Sequence, residues 1–192
     1  MLILAFDTAT RVATSALLRD DDVLGERRSD ARAVLQEAHA LLAEAGAEPG
    51  DLDAVVVGTG PGSFTGVRMG LAVARGLALA LDLPGAGVST LHGFDERVVE
   101  PVLDAKRGEV FVTGPRAARP EELDVAGRRL AGDGAVRYRE LFEAAGAEIS
   151  ADDDPVHLPS PAMLVARAAG DFGRVDAIEP LYVRAPDAKE PR

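Results

Sequence analysis

Apolar and polar residues alternate along the first part of this chain in two different periods. Short apolar runs bounded by turn-forming residues predict strands, whereas apolar residues that recur every three or four positions predict helices. Ser29 and Asp30 suit the start of the first helix, and Gly46 suits its end. The pattern therefore predicts three antiparallel strands, a helix, a strand, a second helix and a fifth strand, at residues 2–6, 12–18, 23–28, 30–45, 54–57, 65–82 and 86–90.

The order of these elements is that of an RNase H-like half-domain, and the second part of the chain begins in the same way. An apolar run at 101–104 ends in Asp104, as the first run is followed by Asp7, and a turn and another run at 109–113 come next. An internal repeat with aspartates at equivalent positions predicts two half-domains of one kind. We place them at residues 1–100 and 101–184.

The rest of the second half-domain is expected to be shortened. Gly114 and Pro115 interrupt the apolar pattern, which indicates that a strand is missing. A short helix is predicted at 137–145, and Ser160 followed by proline predicts the start of another, at 160–169. The tail at 185–192 is rich in proline and charge and is predicted to be disordered.

A glycine-rich segment, GTGPGSFTGVRMG at residues 58–70, joins the fourth strand to the second helix. Two interpretations remain open: its backbone amides capture a phosphate or another anion, or its glycines only allow a tight turn and close helix packing. It lacks the lysine of a Walker loop and the spacing of a dinucleotide-binding loop. Its signature positions are Gly58, Gly60, Pro61, Gly62, Ser63, Phe64, Thr65 and Gly66.

The second helix is apolar nearly all round, with Arg68 and Arg75 as its charged residues between 65 and 81. A helix that lies on a sheet needs only one apolar face, so something must cover its other side. A transmembrane span is disfavoured by the two arginines and the short run. The first helix is the intramolecular candidate, and a partner protein is the other. The predicted interface comprises Val34, Leu35, Leu41 and Leu42, the small-residue ridge of Gly66, Gly70, Ala74 and Ala78, and Arg68.

Composition narrows the possible functions. The net charge of −11 disfavours direct binding of a nucleic-acid backbone. The chain has no cysteine, and its three histidines are too far apart for a zinc motif, so no thiolate or metal site is predicted. No serine-nucleophile elbow surrounds Ser63. The start of the chain lacks the basic region of a secretion signal, so a cytoplasmic protein without a membrane segment is expected.

The segment at 58–70 resembles the GxGPGSFTGxRxG signature of the bacterial TsaB (YeaZ) family, which takes part in tRNA threonylcarbamoyladenosine biosynthesis. Further similarity lies in LILAFDTAT at 2–10, DLDA at 51–54, GVSTL at 87–91, DAKRGEV at 104–110 and PLYVR at 180–184. The resemblance implies an α/β fold of two RNase H-like half-domains, as in actin, Hsp70 and sugar kinases (the ASKHA superfamily).

The resemblance also implies a function. It predicts a noncatalytic scaffold that supports a TsaD-like subunit in transferring a threonylcarbamoyl group to a tRNA adenosine, together with a TsaE-like ATPase. The two helices of the first half-domain are then expected to form a homodimer in isolation and to dock the TsaD-like subunit. Binding of tRNA is expected only through the complex. The His-x-x-x-His metal motif of TsaD is absent from this chain.

Aspartates at the ends of these strands surround ATP and its metal in the superfamily. The candidates here are Asp7, Thr8, Thr10 and Asp104, with Asp7 and Asp104 as hypothetical magnesium ligands. Ala9 stands where the phosphate-binding turn has glycine, so the chain alone is expected to bind no cofactor, with ATP and Mg²⁺ possible in the complex. The alternative is a small ATP-dependent phosphotransferase that uses both aspartates.

Overall fold

The computed structural model describes residues 1–184 and contains two five-stranded mixed sheets. In the first sheet the strand order is β3-β2-β1-β4-β5, with β1 antiparallel to β2 and parallel to β4. Every residue of β1 and β4 is buried, as expected for central strands covered on both faces. The strands are β1 Leu2–Asp7, β2 Ala13–Arg19, β3 Asp22–Ser29, β4 Ala54–Gly58 and β5 Gly85–Val88.

The second sheet repeats this topology, and its strands other than the central β6 are shorter than their counterparts. Its order is β10-β9-β6-β7-β8. Read in reverse, this is the order of the first sheet, with β6 to β10 in the places of β1 to β5. The internal repeat and the α/β fold class are therefore confirmed. The strands are β6 Glu100–Lys106, β7 Glu109–Val112, β8 Arg116–Ala118, β9 Arg129–Ala131 and β10 Glu148–Ile149.

The prediction that the second half-domain lacks a strand is wrong. After the turn at Gly114, which has a φ of 77°, β8 pairs with β7 antiparallel and completes the three-stranded meander. What is shorter is the connection from β8 to β9, where the described chain forms only a three-residue 3-10 turn, Pro120–Glu122. The corresponding connection in the first half-domain holds a full helix.

Helices cover both faces of the first sheet. Helices α1, Val34–Glu44, and α2, Phe64–Leu81, pack on one face. Helix α5, Pro161–Ala168, packs on the other, where Leu164 lies among side chains of β1, β2, β4 and β5. The short helices α3, Asp133–Arg137, and α4, Arg139–Ala144, belong to the second sheet. Residues 161–178, which the sequence assigned to the second half-domain, thus lie against the first.

The last described residues, 175–184, form what we call the C-terminal strap. Val175 is buried in the core of the first sheet, and the amide of Leu181 donates to the carbonyl of Thr59 at 2.8 Å. Val183 packs on the core between the two halves. The Arg184 guanidinium donates to the carbonyl of Ala105 at 2.9 Å and pairs with Glu109. The strap therefore connects α2 and its preceding loop to the second sheet.

Candidate functional site

The glycines of the signature loop let the loop pack directly on the turn that follows β1. A Cβ added at Gly66 would lie 2.0 Å from the carbonyl oxygen of Thr8, and one at Gly70 would lie 2.3 Å from the Thr8 hydroxyl. A Cβ at Gly58 would lie 1.8 Å from Oδ2 of Asp7. These distances leave no room for any side chain, so close packing requires glycine at these positions.

Several polar groups of the loop form hydrogen bonds within the protein. The amide of Ser63 donates to the carbonyl of Ala9 at 2.7 Å, and the amide of Gly60 donates to the Thr90 hydroxyl at 3.1 Å. The amide of Gly66 donates to Oγ of Ser63 at 3.2 Å, which caps α2. Because these three amides have acceptors within the chain, they are not free to bind an anion.

Asp7 is fully buried where β1 ends beside this loop. Its Oδ1 accepts the amide of Ala9 at 2.7 Å, and its Oδ2 accepts the Thr90 hydroxyl at 2.6 Å. Burial raises the pKa of Asp7 to about 6, although the two hydrogen bonds lower it. The hydroxyls of Thr8 and Thr10 donate to the carbonyls of Gly66 and Val12. These three candidate cofactor residues are thus hydrogen-bonded within the protein.

Asp104 lies in a different setting, in a cleft of about 520 Å³ between the half-domains. Its carboxylate accepts from Lys106 at 2.6 Å and from Arg137 at 3.1 Å. Asp133 in the same cleft accepts the amide of Asp104 at 2.9 Å, and burial raises the pKa of Asp133. Lys106 and Arg137 therefore already neutralise Asp104, the second aspartate that the sequence predicted as a magnesium ligand.

The residues of the cleft do not fit the ATP and magnesium that the superfamily implies. Asp7 is enclosed, Asp104 is paired with two cations, and the backbone of Ala9 packs against Gly62, where an added Cβ would lie 2.3 Å from the Ala9 oxygen. Within residues 1–184 no group of three or more histidine, aspartate or glutamate side chains is placed to hold a metal ion.

The small-residue ridge of α2 faces the protein interior rather than a partner. Gly66, Gly70 and Ala74 are buried, and Ala78 is partly buried against the core of the first sheet. The ridge faces inward because β1 and β4 need a close approach of the helix at this position. Gly66, Gly70 and Ala74 are therefore unavailable for a partner interface, contrary to the prediction.

The predicted interface residues of α1 are placed in the same way, with one exception. Val34, Leu41 and Leu42 are buried in the core of the first sheet. Leu35 is 51% exposed. Of the residues proposed on α1, only Leu35 is therefore positioned to contact another protein.

The opposite side of α2 is exposed, and we call it the exposed face of α2. Leu79 is 89% exposed. Length and composition alone would allow α2 to cross a membrane, but its ridge side packs on the sheet. The residues of the face are Arg68, Ala72, Arg75, Gly76, Leu79 and Ala80.

An aromatic cluster at the first turn of α2 escaped the sequence prediction. The ring of Phe64 lies 5.0 Å from the ring of Tyr182 in the strap, and the Arg68 guanidinium lies 5.9 and 5.6 Å from the two ring centroids. Nε of Arg68 also donates to the Tyr182 hydroxyl at 2.9 Å. The available signal was the PLYVR similarity at 180–184, which indicated no contact with α2.

Comparisons with known proteins agree with this architecture. The family model described as TsaD, tRNA N6-adenosine threonylcarbamoyltransferase, matches residues 27–169. An uncharacterized protein of Mycobacterium tuberculosis is 38% identical over 206 residues, which cover 97% of this chain and 93% of that protein. The tRNA threonylcarbamoyladenosine biosynthesis protein TsaB of Bacillus subtilis is 37% identical over 122 residues, 58% of this chain and 53% of TsaB.

A solved structure supports the same assignment. YeaZ from Pseudomonas aeruginosa superposes with a TM-score of 0.77 at 29% identity and covers 94% of this chain and 99% of YeaZ. The match extends over both half-domains, so it includes the second one, where the sequence signature was weakest. The chain therefore belongs to the TsaB (YeaZ) family, whose named members are tRNA threonylcarbamoyladenosine biosynthesis proteins.

Proposed function

We propose that this chain is a noncatalytic subunit of the complex that transfers a threonylcarbamoyl group to a tRNA adenosine, and that it docks a TsaD-like catalytic subunit on the exposed face of α2. The observation that carries the proposal is that Leu79 shares this face with Ala72, Gly76 and Ala80 and is 89% exposed, with no described residue covering it. An exposed leucine among small residues and bordered by charged side chains is typical of a protein interaction site.

The cleft supports a noncatalytic role rather than the phosphotransferase alternative. A phosphotransferase needs open carboxylates that can hold a metal and orient phosphates. Here the oxygens of Asp7 are occupied by an amide and a hydroxyl, and Asp104 is paired with Lys106 and Arg137. Any ATP and Mg²⁺ that act in the reaction belong, in this proposal, to the assembled complex.

We also infer that the chain acts in the cytoplasm as part of an assembly. In isolation the chain forms a homodimer, and in the complex the TsaD-like subunit takes its place while a TsaE-like ATPase is recruited. The tRNA is bound through the complex and not by this chain alone, since its net charge is −11.

Replacing Leu79 with glutamate tests the docking surface. The change places a carboxylate on the apolar face, where burying an unpaired charge is costly, so at least a tenfold loss of affinity for the TsaD-like subunit is expected. Leu24→Glu is the matched control, because Leu24 is also an exposed leucine, at 42%, but lies on β3. Calorimetric titration of each variant with the purified TsaD-like protein measures the effect. Equal affinities for both variants and the wild type would rule out docking through this face.

Direct tRNA binding gives a separate test. The purified chain should retain little tRNA in a gel-shift assay at physiological salt, because its acidic surface repels phosphates. Addition of the TsaD-like subunit should produce a shifted complex that contains both proteins. Tight binding by the chain alone that weakens steeply with salt would contradict the proposed role.

A further inference from the structure

Two guanidinium groups on the exposed face of α2 have no carboxylate partner among residues 1–184. Arg68 and Arg75 lie seven positions apart, which is about two helical turns and about 10 Å along the axis. Arg68 contacts the Phe64 and Tyr182 rings and donates from Nε to the Tyr182 hydroxyl. Arg75 donates from Nη2 to the carbonyl of Ile178 at 2.8 Å. Both contacts leave other N–H donors of each group without an acceptor in the described chain.

The C-terminal strap holds both arginines in place. Tyr182 and Ile178 belong to the strap and each takes one donor of an arginine side chain. A guanidinium that is already held loses less conformational freedom when it binds a carboxylate. The remaining donors form a planar array that matches the two oxygens of a carboxylate. The strap thus prepares two positive groups on a surface that is otherwise apolar.

The positive charge of this face favours a different protein over a second copy of this chain as its partner. Helix α2 contains no aspartate or glutamate from 64 to 81, so a second copy that packed the same face against this one would bring four arginines together without a carboxylate from either helix. Like charges in such a contact are unfavourable. A different protein with acidic groups on an apolar surface would complement the face.

We propose that Arg68 and Arg75 recognise two carboxylates, about 10 Å apart, on the docking surface of the TsaD-like subunit, and that these ion pairs favour that subunit over a second copy of this chain. The inference rests on the proposed function, because the partner is the one proposed there. It adds the chemistry of recognition, which the apolar contact through Leu79 does not require.

The test compares Arg68→Gln, Arg75→Gln and the double variant with wild type by calorimetric titration against the TsaD-like protein at several salt concentrations. Each single change should weaken binding about tenfold, which is about 1.4 kcal/mol, because a hydrogen bond to a charged group is stronger than one between neutral groups. The double variant should also lose most of the salt dependence. Arg116→Gln is the control, because it removes the same charge from an exposed arginine that lies on β8 and not on α2. Sedimentation should show that the self-association of the double variant is no weaker than that of wild type.

The outcomes separate this inference from the proposed function. If the double variant binds like wild type while Leu79→Glu does not bind, the carboxylate recognition is wrong and the docking surface stands. If neither the double variant nor Leu79→Glu changes the affinity, both this inference and the proposed docking surface are wrong. Arg68→Lys distinguishes recognition from folding, because it keeps the charge without the planar donor array: a melting temperature like that of wild type with intermediate affinity supports the inference. Wild-type affinity for Arg68→Lys together with wild-type salt dependence for the double variant overturns it.

Discussion

Gly66→Ala is expected to destabilise the protein by about 3 kcal/mol, at the upper end of what overpacking of a core produces. The added methyl carbon would lie 2.0 Å from the carbonyl oxygen of Thr8, which is backbone and cannot rotate away. The helix must therefore move off the sheet and lose the 2.8 Å hydrogen bond from the Thr8 hydroxyl to the Gly66 carbonyl. Thermal unfolding should show a melting temperature lower by roughly 10 °C.

Gly76→Ala is the matched control because it makes the same change in the same helix. Nothing lies within 4 Å of the position of the added Cβ, and Gly76 is exposed. Since alanine favours the helix over glycine by roughly 0.5–1 kcal/mol, this variant should be slightly more stable than wild type. Destabilisation of both variants to the same extent would mean that the inward ridge is not what requires glycine at position 66.

Asp7→Asn is expected to remove a pH-dependent part of the stability. Burial raises the pKa of Asp7 to about 6, above the ordinary value of 3.8, so the folded protein holds the proton more tightly than the unfolded chain does. The contribution of Asp7 to stability is therefore fully present below about pH 4 and is lost as the pH rises through 6. A pKa difference of this size corresponds to roughly 3 kcal/mol.

Denaturant unfolding of both proteins at several pH values measures this effect. The free energy of unfolding of Asp7→Asn, taken relative to wild type, should rise by that amount between pH 4 and pH 7, because asparagine stays neutral. Asp153→Asn is the control, since Asp153 is exposed, and its difference from wild type should stay nearly constant. A constant difference for Asp7→Asn as well would show that Asp7 ionises in the folded protein as it does in water.

Much of the fold could be predicted because the central strands leave strong local signals. The Val55–Val57 run and the buried segment of β1 are β-branched or apolar, and the structure places them at the centre of the first sheet. Strand β8 left no such signal. Its three residues, Arg116, Ala117 and Ala118, lack alternating apolar positions, and its pairing depends on β7.

The orientation of the small-residue ridge could not be predicted for a different reason. Glycine and alanine at every fourth position allow any backbone to come close, whether it belongs to the same chain or to another. Here the ridge packs within the same chain, against Thr8 and Val57, and these two residues are neighbours of Gly70 only in the folded structure. The burial of Asp7 likewise depends on Thr90, which lies 83 residues further along the chain. No local sequence pattern therefore predicts that Asp7 is buried.

The C-terminal strap has a consequence for the order in which the chain can fold during synthesis. Edge strand β5 is bonded to Gly173, and Val175 fills part of the first core, so the first half-domain needs residues that leave the ribosome long after its own strands. The contact between Thr59 and Leu181 likewise closes a loop of more than a hundred residues. Long-range contacts of this kind slow folding. The first half-domain therefore stays incomplete until residue 175 has been translated, and shortening the chain before that residue would remove part of the core of the first sheet.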